Sequence, residues 1–86
     1  MRENLSELSD VDKVIYEHST EESSLRDIAE HVPVKKDAVK KRQESLFRRG
    51  LMTRVEKYGG RYVRQVSLEE VGLDVPKLEV EKDEKK

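Results

Sequence analysis

The sequence predicts an α+β fold, a three-helix core followed by a two-stranded β-hairpin, and three observations predict it. Apolar residues recur at helical spacing as far as Leu46 and Phe47. Gly50 then supplies the usual left-handed stop of a last helix. Beyond it the period shortens to two, in β-branched runs on either side of Tyr58-Gly59-Gly60.

Ser9 and Asp12 have the spacing of a capping box, and Val11, Val14, Ile15 and His18 follow on one face, so a first helix is expected over residues 9–18. Leu5 and Leu8 lie just before it, placed to staple onto it. Residues 19–23 are polar and read as a loop. Ser24 and Asp27 repeat the capping pattern, and Leu25, Ile28, Ala29 and Val32 give a short second helix that ends at Pro33. A third helix starts at Lys35 or Lys36 and runs to Arg49. Its apolar positions are Ala38, Val39, Leu46 and Phe47, Gln43 interrupts them, and most other positions are Lys or Arg. The strands are expected over residues 51–57 and 61–67, with one short turn in 68–75. The domain thus spans residues 1–75. Residues 76–86 form a charged tail expected to be disordered, although Leu78 and Val80 have the alternation of an edge strand.

Eighty-six residues fit one domain, and 34% hydrophobic against 43% charged residues leave it a small core. Without cysteine there is neither a disulfide framework nor a thiolate metal site. No apolar run is long enough to span a bilayer and the first residues lack a signal-peptide pattern, so a soluble, cytoplasmic protein is expected. The net charge of −1 conceals a partition. Residues 1–32 hold three basic and nine acidic groups, 33–66 hold eleven basic and three acidic, and 67–86 hold four and seven. A polyanion responds to the local field of the middle block rather than to the total.

From Leu25 to Val66 the chain resembles the winged helix-turn-helix proteins, in particular the MarR/ArsR-like prokaryotic regulators and small archaeal and viral regulators. The residues that carry the resemblance are Leu25-Arg26-Asp27-Ile28-Ala29-Glu30, then Val39 and Leu46, then Arg49-Gly50-Leu51-Met52 and Tyr58-Gly59-Gly60-Arg61-Tyr62. Three positions depart from the pattern. Pro33 stands where a turn glycine is common, Lys35 replaces a Ser/Thr cap, and Gln43 occupies a usually apolar position, which implies looser packing or a polar contact there.

The resemblance implies duplex-DNA binding by a sequence-specific transcription regulator, with the third helix in the major groove and the hairpin on backbone or minor groove. Long cations suit both places, because Lys and Arg neutralise phosphates and Arg can bond guanine bidentately. The expected contact residues are Lys35, Lys36, Lys40, Lys41 and Glu44 on the helix, and Arg54, Lys57, Arg61 and Arg64 on the hairpin, with Arg61 exposed at the tip. Asp37, Glu44 and Gln43 have the chemistry to read cytosine or adenine edges, but surface or capping roles suit them better.

Nucleophile–base pairs, phosphate-cradling loops and convergent acids are missing from the sequence, which argues against an enzyme. His18 and His31 fall on separate helices and read as structural, so neither a metal nor another cofactor is expected. Tyr16, Tyr58 and Tyr62 are candidates to stack on a base or sugar, but hairpin packing suits Tyr62 better. With 5% aromatic residues a single-strand stacking platform is poorly supplied. A homodimer is expected, since one such module reads few base pairs and Leu5, Leu8, Phe47, Leu68, Val71, Leu73, Val75, Leu78 and Val80 need cover. The alternative is a protein-interaction module of transcription, replication or membrane-remodelling machinery, with a partner on the acidic first helix or tail.

Overall fold

Serine caps open the first two helices. Ser9 Oγ accepts the Asp12 amide at 3.2 Å and begins α1 (Asp10–His18). Ser24 and Asp27 close a reciprocal box at 3.1 and 3.0 Å and begin α2 (Leu25–Ala29). The third helix, α3 (Lys36–Arg48), starts after Lys35, whose φ of −81° and ψ of 166° are those of a cap although its side chain makes no capping bond. The computed structural model describes residues 4–80, and within them strands β1 (Met52–Val55) and β2 (Arg61–Arg64) complete an α+β fold of three helices followed by a hairpin. The strands are antiparallel, in register from Met52 opposite Arg64 to Val55 opposite Arg61.

Gly50 ends α3 as expected. At φ 82° its amide donates to Phe47 O, and the Leu51 amide reaches back to Leu46 O, both at 3.0 Å. This pairing brings Leu46 and Leu51 into contact within the core, so the motif that stops the helix also aims the chain into β1.

The core is two adjoining clusters. Val14, Ile15, Ile28, Ala29, Val32 and Val39 join the three helices. Leu8, Tyr16, Leu46, Leu51, Met52 and Leu68 join the helices to the hairpin, with Leu5, Tyr62 and Leu73 packed on them. Much of the apolar surplus flanking the expected core therefore covers the domain's own interior. Phe47, Val71 and Val75 remain exposed.

A polar seam runs between these clusters. Gln43 Nε2 donates to Ser19 Oγ at 2.8 Å, and Ser19 Oγ donates to Ile15 O at 2.6 Å. Gln43 is thus a buried polar contact, the second of the two implications drawn from its position. The Ser19 carbonyl accepts the Arg64 amide at 2.8 Å, while the Tyr16 hydroxyl accepts the Gln65 and Val66 amides at 3.1 and 3.2 Å. These bonds explain why β2 stops at Arg64 and not at residue 67: α1 takes over the amides that a longer ladder would use. On the other side, a 3₁₀ turn at Glu56–Tyr58 shortens β1. Further 3₁₀ turns form at Leu5–Glu7 and Glu69–Val71, the latter being the short turn expected in 68–75.

Residues 77–80 form no strand, and Leu78 packs against the helical cluster. The charged segment 81–86 lies outside the described residues, as does the Tyr58 side chain. No helix among the described residues is long and apolar enough to cross a membrane.

Candidate nucleic-acid interface

Buried Val39, Gln43 and Leu46 fix which side of α3 faces inward. Helical spacing then places Lys36, Lys40 and Phe47 on one outer strip, with Asp37, Lys41, Glu44 and Arg48 farther round. Lys35, Lys36, Lys40 and Lys41 are exposed and Glu44 is half-buried. Arg42 points away from this surface, bonded to Asp12 of α1 at 3.0 Å.

The hairpin cations divide in two. Arg54 and Lys57 are exposed, and Arg54 Nη1 lies 2.7 Å from Glu56 Oε2. Its guanidinium also covers Gly60, whose φ of 91° and lack of a side chain let the tip fold beneath it. Arg64 is half-buried, its Nη1 2.6 Å from Glu17 Oε2 and 2.9 Å from the Glu17 carbonyl. Here the guanidinium ties β2 to α1, and Glu17 Oε1 extends the tie by accepting the Leu68 amide at 2.9 Å.

Arg61 corrects an expectation. It is half-buried instead of exposed, because its Nη1 donates to the Glu21 carbonyl at 2.5 Å and holds the tip against the loop between α1 and α2. The tip therefore lies back over the helices. Between them is a cleft of about 170 Å³ bounded by Ser23, Lys40, Gly59, Gly60, Arg61 and Tyr62, among others. Tyr62 also meets Phe47, ring centroids 5.2 Å apart at 47°, which gives the exposed Phe47 partial cover. Of the nine residues expected to contact DNA, Lys40 and Arg61 converge on the cleft. Lys35, Lys36 and Lys41 line the outer helix, Glu44 is partly shielded, Arg54 and Lys57 stand on the hairpin, and Arg64 is engaged by Glu17.

Sequence reasoning did not foresee that both histidines meet. His18, at the end of α1, and His31, just past α2, stack at 3.9 Å and 3°. Burial holds the His18 imidazole below its ordinary pKa of 6.5; His31 and Arg64 add to the depression and Glu17 opposes it. Nothing in the sequence marks this contact, since the residues lie on separate elements. No group of three or more His, Cys, Asp or Glu among the described residues is placed to hold a metal ion.

No family model, curated protein or solved structure matches the chain.

Proposed function

We propose that this chain is a DNA-binding protein rather than an enzyme: a sequence-specific transcription regulator of winged helix-turn-helix type, with α3 in the major groove and the hairpin as its wing. One observation carries the reading. The exposed lysines of α3 stand beside a hairpin bearing Arg54, Lys57 and Arg61, so the two basic elements form one surface. The acids concentrated in residues 1–32 belong largely to other elements, and Asp12 and Glu17 are occupied by Arg42 and Arg64. Two of these acids are thereby neutralised within the domain. Lys36 and Lys40 supply long cations to a groove, and Lys35 and Lys57 reach the flanking backbone.

Binding to duplex DNA measured against salt concentration tests this directly. Four to seven phosphate contacts give a log–log slope of about −4 to −6, or a loss of ~300- to 4,000-fold between 50 and 200 mM salt. A slope near zero would exclude the reading. Selection from random duplexes then identifies the preferred sequence.

The working unit is a homodimer, because a single module contacts only a few base pairs and two-fold doubling multiplies its discrimination. Phe47, Val71 and Val75, at 39%, 49% and 37% exposure, are the large apolar side chains left to a second copy. Light scattering at micromolar concentration is expected to give twice the chain mass, and a monomeric mass would remove this part of the proposal.

A further inference from the structure

A cleft lies between α3 and the hairpin tip, floored by the buried Gln43 and by Leu25 at the start of α2. Two cations from different elements, Lys40 and Arg61, face it. Ser23 contributes a hydroxyl that is already positioned by a 3.0 Å bond with Thr20 Oγ1. Gly59 and Gly60 expose backbone on one side, while Tyr62 makes an apolar flank on the other. The described lining contains no carboxylate, although Asp and Glu make up 19 of the 86 residues. Two cations that converge on a lining of hydroxyl, backbone and ring form a site suited to an anion.

Geometry narrows the anion. When a helix lies in a major groove and a hairpin reaches the adjoining minor groove, one sugar–phosphate strand runs between the two elements. In this molecule the space between those elements is the cleft itself. We infer that the cleft seats a backbone phosphate of the DNA strand separating the two grooves, gripped by Lys40 and Arg61 together. This inference rests on the proposed duplex-DNA binding and adds a register point to it. The seat fixes how far the tip stands from α3, and so which minor-groove step the hairpin meets for a given major-groove site. Arg61 suits such a grip, because its guanidinium has five N–H donors in a rigid fork and the bond to the Glu21 carbonyl holds that fork beside the cleft. The Tyr62 ring is placed to pack on the neighbouring deoxyribose.

A double-mutant cycle on a fluorescent 20-base-pair duplex tests the shared grip. Lys40→Ala and Arg61→Ala should each weaken binding about fivefold, and the double variant by clearly less than the product, because both side chains act on one phosphate. Lys36→Ala combined with Arg61→Ala serves as the control and should multiply, since Lys36 does not line the cleft. Arg61→Lys guards against a displaced tip: it keeps the charge and should retain most of the affinity. A second measurement avoids DNA altogether. Inorganic phosphate titrated into the labelled protein should shift the amide resonances of Ser23, Gly59 and Gly60 in a saturable way, and Lys40→Ala should abolish the shifts. Multiplicative losses for Lys40 and Arg61, or phosphate shifts confined to other amides, would overturn the seat while leaving DNA binding intact. Absence of any salt-sensitive duplex binding by the unaltered protein would overturn both.

Discussion

Lys35→Ser should make this protein more stable and a weaker DNA binder at once. The start of α3 has cap geometry without a cap: φ −81° and ψ 166° at Lys35 nearly reproduce the −81° and 169° of Ser24, whose Oγ accepts an amide three residues on at 3.1 Å. Serine at position 35 would reach the Ala38 amide in the same way, with no change in backbone. A capping Ser in place of a residue that cannot cap is worth ~1 kcal/mol, and removing a cation from the positive end of the helix dipole adds to it. In a domain this small, ~1 kcal/mol corresponds to a rise in melting temperature of about 4–8 °C. Under the proposed DNA binding the same change deletes a phosphate contact, so the salt slope should fall by ~1 in magnitude. Calorimetry and a salt titration on one preparation read both effects. An unchanged melting temperature would show that the cap geometry is not used. A higher one with unaltered DNA affinity would show that Lys35 lies off the DNA.

Gln43→Ala removes a side chain that is 3% exposed and its 2.8 Å bond to Ser19, and should cost about 1–3 kcal/mol, read as a lower urea midpoint at constant slope. A loss below ~0.5 kcal/mol would mean that the seam contributes little. The stacked histidines predict a pH dependence. His18 has a folded pKa below 6.5, so the unfolded chain binds its proton first as pH falls; stability is complete above that value and is lost as pH drops toward the folded pKa. Around His18, His31 and Arg64 oppose protonation and Glu17 favours it, and a separate cleft beside the pair is lined by Glu30 and Lys77. Melting temperature should decline below about pH 6.5, and His31→Asn should lessen that decline without abolishing it, because burial is the larger cause; equal pH profiles for the two proteins would dismiss any contribution of the stack.

Much of the architecture was legible in local signals. The two serine caps, the Gly50 stop and the change of period after it each act over only a few residues, and the main helices and strands answer to one or another of them. Of the candidate interface the sequence offered residue types alone. Whether an arginine faces solvent depends on acceptors far along the chain: Arg61 finds the carbonyl of Glu21, 40 residues earlier, and Arg64 that of Glu17, 47 residues earlier. No periodicity encodes such pairings. The strand ends were overrun for the same reason, because β propensity in Gln65-Val66-Ser67 says nothing about a tyrosine hydroxyl on α1. The histidine stack likewise needs the angle between two helices, which no spacing reveals.

The bonds from α1 to the base of the hairpin bear on how the molecule opens. A lone two-stranded hairpin is marginal in water, yet here the Arg64, Gln65 and Val66 amides are held by Ser19 and Tyr16, residues seated in the helical interior. Their hydrogen exchange must therefore await disruption of the helix packing, and it reports the global opening of the domain. The tip is fastened by exposed contacts and exchanges at a lower cost. The hairpin is thus dynamically two objects: a base that belongs to the same cooperative unit as the helices, and an outer turn able to shift without loosening the core.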